Sequence, residues 1–168
     1  GAYSLDMIYS PGGGELRSNQ YAQTGLVNDN HLFHRYYVYF EEDLSQPVNG
    51  VDLSTLGSTN WGVTQSAKRW QGEETSSKLY VNIGGVEYAT SATMQNGQWY
   101  CIEEEVTVDG TVTIWVDETQ VFSQTGLQMG SEIDMLIQGG RYKDTLDGFS
   151  PVHIYMDDIV VSRMRVGC

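Results

Sequence analysis

The sequence has few basic residues. Nine lysines and arginines stand against 22 aspartates and glutamates in 168 residues, giving a formal charge of -13. Nucleic acids and anionic membranes are bound through basic patches, so both are disfavoured as partners. A membrane span is not predicted, because no apolar run approaches the roughly 18 residues that one requires. The first residues, Gly-Ala-Tyr-Ser, show neither region of a signal peptide, and we expect a mature chain.

Cysteine is equally scarce, with Cys101 and Cys168 as the two examples. An even pair in an acidic chain rich in glycine and aromatics suggests one disulfide that ties the last residue to a central strand. The alternative is two free thiols. A disulfide would imply a secreted or cell-surface location. Neither C-x-x-C nor Cys/His metal spacing occurs, so zinc and thiol redox chemistry have no support.

Helical periodicity is also missing, since no stretch of more than about ten residues keeps an i, i+3, i+4 apolar pattern. The 19 glycines, 11 tyrosines and four tryptophans favour roughly ten to twelve short strands joined by turns. We expect a single all-β domain over residues 1–168. Residues 1–30 are predicted to be an irregular N-terminal segment, and residues 31–168 to form a core sandwich.

The clearest strand covers residues 31–40, and its two faces differ. The more apolar face is assigned to the core, and Arg35, Tyr37 and Tyr39 to an open face. Tyrosine rings can stack on sugars, while an arginine grips hydroxyls or a carboxylate. The alternative is a solvated tyrosine face with Arg35 paired to a cross-strand acid. The core-facing residues are Leu32, His34, Tyr36, Val38 and Phe40.

A second strand, at residues 152–162, places His153 and Tyr155 on the open face because the alternate residues are apolar. A histidine and a tyrosine can serve as base and acid, although plain packing explains them as well. Gln138 and Arg141 lie in a loop that also contains Lys143. This loop could neutralise an acidic sugar, or its charges could simply balance neighbouring aspartates.

Asp157 and Asp158 are adjacent in this strand, so alternation predicts that one carboxylate points toward the packed side. An inward carboxylate needs hydrogen-bond donors or a cation. Calcium is one candidate, because it takes six to eight oxygen ligands. Possible co-ligands come from the N-terminal region: Asp6, Glu15, Asn28 and Asn30.

Four segments together carry a family resemblance: FHRYYVYF at 33–40, WYCIE at 99–103, VTIWVD at 112–117 and IYMDDIVVS at 154–162. In their order and spacing they resemble concanavalin A-like jelly rolls of the polysaccharide-lyase-like branch. That branch contains glucuronan lyase and the cellulose-induced fungal proteins with their bacterial relatives. The resemblance spans roughly residues 31–168.

The resemblance implies a two-sheet antiparallel jelly-roll sandwich with a concave groove for a glycan and a structural Ca²⁺ on its rim. It assigns Asp157 and Asp158 to the calcium strand, and Arg35, Tyr37 and Tyr155 to the concave face. A lyase would need a neutralising group, a base and an acid. Arg35 or Gln138, His153 and Tyr155 would take these roles.

Several motifs of the related enzymes are missing. The chain has neither the R-x-E-x-R nor the Q-I-H pattern of alginate lyases, and Glu103, Glu104 and Glu105 form a continuous run instead of the E-x-D-x-x-E of jelly-roll hydrolases. Consecutive strand residues cannot all share one face. The retaining hydrolase constellation is therefore not expected.

Three functions follow, in this order of preference. The first is an extracellular carbohydrate-binding domain that recognises a polysaccharide through its Tyr/Arg face. The second is a polyuronate lyase acting by β-elimination. The third is a surface or fibre subunit that forms homo-oligomers by strand addition. The charge of -13 makes a neutral glycan the easier ligand.

Overall fold

A computed structural model describes residues 5–9, 20–23, 30–41, 51–58, 61–69, 77–130, 133, 135–139 and 152–168. These residues contain twelve β-strands and no helix. The strands are β1 Leu5–Tyr9, β2 Gln20–Gln23, β3 His31–Phe40, β4 Val51–Ser58, β5 Trp61–Arg69, β6 Ser77–Ile83, β7 Val86–Met94, β8 Trp99–Thr107, β9 Thr111–Val116, β10 Thr119–Gln124, β11 Met135–Gln138 and β12 Val152–Ser162.

The strands form two six-stranded sheets that pack face to face. Sheet 1 has the order β1-β12-β3-β8-β9-β10, and sheet 2 has the order β2-β11-β4-β5-β6-β7. All neighbouring strands are antiparallel. The prediction of an all-β, two-sheet jelly-roll sandwich is confirmed. No helix among the described residues is long and apolar enough to cross a membrane.

Two edge strands lie in the N-terminal region that the sequence predicts to be irregular. β1 pairs with β12 and places Leu5 opposite Met156, while β2 pairs with β11 and places Tyr21 opposite Ile137. The prediction is wrong for these two stretches. Both strands are short and depend on a distant partner, which a local pattern does not reveal.

The core forms between the inner faces of the two sheets. The alternation predicted for β3 is confirmed, since Leu32, Tyr36 and Val38 are fully buried. β12 contributes Ile154 and Met156, which are also inaccessible to solvent. Sheet 2 supplies the opposing residues, among them Leu53, Leu56, Val63, Leu79 and Val81.

A polar cluster lies inside this core. The two ring nitrogens of His34 lie 2.9 Å from Glu104 Oε1 and 2.9 Å from Gln138 Oε1. The Gln138 amide donates to the Leu53 carbonyl, and only 4% of Gln138 is exposed. Gln138 was predicted to lie in a ligand-facing loop, but β11 pairs with β4 in a register that places it opposite Ser54 in the core.

Candidate functional site

The outer face of sheet 1 carries most of the predicted site residues. Tyr39 on β3 lies between Tyr155 on β12 and Trp99 on β8. Further along β3, Tyr37 lies opposite Cys101 and Arg35 lies opposite Glu103. The predicted row is therefore on one face, but its two ends have different surroundings.

The C-terminal segment, residues 163–168, is fastened to one end of this face by a disulfide. Cys101 and Cys168 are bonded with an S–S distance of 2.09 Å and a Cα–Cα distance of 5.9 Å, as the sequence predicts. The Tyr37 hydroxyl donates to the Cys168 carbonyl at 3.2 Å. Tyr37 therefore binds the segment, and its hydroxyl is already engaged.

Glu103 holds the segment from beneath. Its fully buried carboxylate accepts hydrogen bonds from Arg165 Nε at 3.0 Å, the Val166 amide at 2.8 Å and the Gly167 amide at 3.1 Å. Gly167 has φ of +75°, and a Cβ there would meet Glu118 Oε1 at 2.9 Å. Glycine is required at this point of the segment.

Arg165 extends the same contact toward β9. Its guanidinium lies 4.5 Å from the centre of the Trp115 ring and donates to Glu118 at 2.6 Å. Glu118 also accepts from the Cys168 amide. Two carboxylates and one indole ring thus surround the Arg165 guanidinium.

Arg35 belongs to this covered end. Its Nη1 donates to Asp158 Oδ2 at 2.9 Å, and only 8% of the residue is exposed. The guanidinium also lies 5.3 Å from the centre of the Tyr37 ring. The arrangement is the alternative interpretation of the sequence, in which Arg35 pairs with a cross-strand acid.

A β-bulge changes the fate of the paired aspartates. The register between β12 and β3 shifts between Asp157 and Val160, and Asp158 has φ of +49°. The Asp158 side chain is 60% exposed, so its predicted position on the core face is wrong. The Asp158 amide donates to Asp157 Oδ1 at 2.8 Å and lowers the pKa of the Asp157 carboxyl. The bulge interrupts the alternation, so the Asp158 carboxylate does not need a partner inside the core.

The predicted calcium ligands lie only partly among the described residues. Those residues contain no group of three or more histidine, cysteine or acidic side chains placed to hold a metal, and Asp158 binds Arg35. Asp6 lies on β1 opposite Tyr155. Its side chain lies outside the described part of the chain, as do Glu15, Asn28 and Arg141. Calcium binding therefore stays a prediction.

The other end of the face carries three aromatic side chains, which we call the aromatic patch: Tyr39, Trp99 and Tyr155. The ring centres of Tyr39 and Trp99 are 5.4 Å apart, and those of Tyr39 and Tyr155 are 6.0 Å apart. Trp99 is 45% exposed. Trp99 was not among the predicted site residues, because its place beside Tyr39 depends on the register between β3 and β8.

Polar groups border the aromatic patch. The Tyr155 hydroxyl donates to Glu41 Oε2 at 2.8 Å, and the His153 ring stacks at 6.4 Å from the Tyr155 ring. Arg35 is four residues from Tyr39 along β3, which corresponds to roughly 14 Å. The structure therefore brings His153 and Tyr155 together but leaves Arg35 at the covered end.

The outer face of sheet 2 has a polar row across β4, β5 and β6. Ser66 lies between Asp52 and Tyr80 and donates to Asp52 Oδ1 at 2.6 Å. None of the three is more than 9% exposed. Burial raises the pKa of Tyr80, and the Glu87 carboxylate adds to the effect. These groups offer little free surface, whereas the aromatic patch is accessible.

Comparisons of the whole chain identify structural neighbours. No family model matches the sequence, and no curated protein matches it. The fold is similar to "Cellulose induced protein, Cip1", with a TM-score of 0.71 and 15% identity over 100% of this chain and 83% of that one. It is also similar to the family 7 alginate lyase A1-II′ in complex with product, with a TM-score of 0.66 and 12% identity over 96% and 80%.

A third neighbour is the PL-14 alginate lyase from Aplysia kurodai, with a TM-score of 0.62 and 14% identity over 96% of this chain and 83% of that one. At these identities the likeness establishes the fold. The chain therefore has the concanavalin A-like jelly-roll fold that Cip1 and alginate lyases also have.

Proposed function

We propose that this jelly roll binds a carbohydrate chain through the aromatic patch of Tyr39, Trp99 and Tyr155. The observation that carries the proposal is the exposure of Trp99, 45% of which faces solvent within contact distance of a second aromatic ring. An exposed tryptophan that clusters with tyrosines is typical of binding surfaces. The fold shared with a cellulose-induced protein and two alginate lyases supports a carbohydrate ligand.

The chemistry of the patch suits a sugar. Aromatic rings present a large apolar area that can cover the C–H face of a pyranose, while the tyrosine hydroxyls and indole N–H can bond its hydroxyls. Glu41 and His153 border the patch and supply further hydrogen-bonding groups. Few rotatable bonds are lost when tyrosine and tryptophan bind, which keeps the entropic cost low.

A lyase is supported less well. His153 and Tyr155 are adjacent, but β-elimination also requires a group that neutralises the uronate. Arg35 bonds Asp158 and is roughly 14 Å along the strand from Tyr39. Gln138 is buried in the core. The base role of His153, the acid role of Tyr155 and a contribution from Arg141 stay predictions.

Assembly by strand addition is opposed at two of the four sheet edges. β10 and β7 are edge strands whose pairings with β9 and β6 are each interrupted by a register shift, and bulges at edges oppose pairing with another chain. The other two edge strands, β1 and β2, pair regularly, and assembly through them stays a prediction. For location, the disulfide favours an oxidising, extracytoplasmic compartment.

Affinity gel electrophoresis tests the proposal. The native protein is run in gels that contain each member of a panel of soluble neutral and acidic polysaccharides. We expect retardation by at least one polymer and its loss in Trp99→Ala. Val86→Ala is the matched control, because Val86 is also exposed, at 54%, and lies at the β6–β7 hairpin. Migration unaffected by every polymer contradicts the proposal.

A further inference from the structure

We infer that the aromatic patch takes a single, twisted chain of neutral sugars, and neither a flat crystalline glycan surface nor a polyuronate. The inference rests on the proposed function and names its ligand class. Three independent features of the outer face of sheet 1 support it: the angles between the aromatic rings, the position of the disulfide and the distribution of charge.

The rings of the patch are not coplanar. The Tyr39 ring is inclined by 43° to the Trp99 ring and by 59° to the Tyr155 ring. A flat crystal face can lie against several aromatic faces only when these are parallel. A single chain can turn between successive sugars and so present a ring to each aromatic side chain in turn.

The disulfide holds the C-terminal segment beside the patch. Cys101 is two residues from Trp99 on β8, and Tyr37 is two residues from Tyr39 on β3, so both lie next to the patch on the same face. Cys168 bonds to both of them, through its sulfur and its carbonyl. The C-terminal segment therefore covers the sheet where the patch ends. A ligand that needs a wide plane would meet this segment, whereas a narrow chain would not have to extend over it.

The charges near the patch disfavour an anionic ligand. Glu41 is exposed and bonds the Tyr155 hydroxyl, which places a carboxylate at the edge of the patch. Arg35 is one of the basic residues that were predicted to meet a uronate, and it is buried and bonded to Asp158. The others, Arg141 and Lys143, lie outside the described residues. With a net charge of -13 on the whole chain, a polyuronate would be repelled, and the repulsion would weaken as salt is added.

Matched ligands test the inference. Retardation is compared in gels that contain hydroxyethyl cellulose, carboxymethyl cellulose, or other soluble neutral and acidic polymers. Co-sedimentation is measured with crystalline cellulose, crystalline chitin and their swollen, amorphous forms. We expect retardation by at least one neutral polymer, at least tenfold weaker binding of any acidic polymer at low salt, and binding of amorphous material without binding of crystals.

The outcomes separate the inference from the proposed function. Preference for an acidic polymer, or binding of crystals that Trp99→Ala abolishes, would overturn the inference and leave carbohydrate binding intact. An absence of binding to every polymer and both solid forms would overturn the proposed function itself, and the inference with it. Tyr39→Ala and Tyr155→Ala should each weaken binding of the neutral chain by about tenfold, whereas Val86→Ala should not. Equal binding by the unmodified protein, Tyr39→Ala, Tyr155→Ala and Val86→Ala would also overturn the inference.

Discussion

The covered and open ends of sheet 1 carry similar aromatic residues in different surroundings. At the covered end, Trp115 lies under Arg165, and Tyr37 bonds Cys168. At the open end, Trp99 and Tyr39 contact each other, and Trp99 is 45% exposed. The difference is made by six residues of the C-terminal segment. An aromatic side chain on an outer sheet face can therefore be covered by the chain, as Trp115 is, or left exposed, as Trp99 is, and only an exposed one can serve as the binding surface that we propose.

The disulfide should have the largest effect on stability. Cys101 and Cys168 are separated by 67 residues, and closing a loop of that size stabilises the folded state by about 4 kcal/mol. Reduction, or Cys168→Ser, should lower the melting temperature by roughly 10 °C. Calorimetry with and without a reducing agent measures this. An unchanged melting temperature, after thiol titration has verified reduction, would contradict the account of the covered end.

Glu103 should come next, because its buried carboxylate accepts three hydrogen bonds from the C-terminal segment. Glu103→Gln replaces an acceptor by an NH₂ group among donors and should cost about 2–3 kcal/mol in urea unfolding. Glu105→Gln is the matched control, since Glu105 bonds the half-exposed His31, and should cost under about 1 kcal/mol. Equal losses would show that Glu103 does not hold the segment. Glycan affinity should be unchanged in both folded variants.

The pH dependence of stability tests the burial of Tyr36 in the core beneath sheet 1. Burial raises its pKa well above the usual 10.0, and Glu104 adds to the shift. The folded protein therefore keeps a proton that the unfolded chain releases, so the stabilisation is complete below pH 10 and is lost as the pH rises through the folded pKa. Urea unfolding between pH 9 and pH 11 should show a loss approaching about 1.4 kcal/mol per pH unit. Tyr36→Phe should flatten this slope, and an unaltered slope would contradict the assignment.

Calcium should have the smallest effect. If Asp157 contributes to a site, free calcium at about five times its dissociation constant should stabilise the protein by about 1 kcal/mol. Thermal unfolding with chelator and with added Ca²⁺ measures the shift, and Asp157→Asn should remove it. An identical melting temperature in both buffers would mean that the Asp158 amide and other donors satisfy this carboxylate without a metal.

Strand alternation in the sequence predicts much of the fold and part of the site. It places Leu32, Tyr36 and Val38 in the core and Tyr39 on the outside, because a side-chain period of two is a local property. Register is not local. Trp99 reaches Tyr39 through pairing between segments about sixty residues apart, and the bulge at Asp158 reverses the direction that alternation assigns.

The covering of one end of the face was also beyond a local pattern. The C-terminal segment has no strand periodicity, and its position depends on Cys101 and Glu103, which are more than sixty residues away. The even number of cysteines predicts that a tie exists. It does not predict that the tied segment would close one end of the face and leave Tyr39 and Tyr155 open at the other.

The most direct test measures Trp99→Ala and Trp115→Ala side by side, each for glycan affinity and for stability. The account predicts that Trp99→Ala loses at least about tenfold in affinity for the best soluble neutral polymer and less than about 1 kcal/mol in stability. Trp115→Ala should lose about 2 kcal/mol or more in stability through its contact with Arg165 and keep its affinity while folded. The reverse pattern, with affinity lost at Trp115 and kept at Trp99, would contradict it.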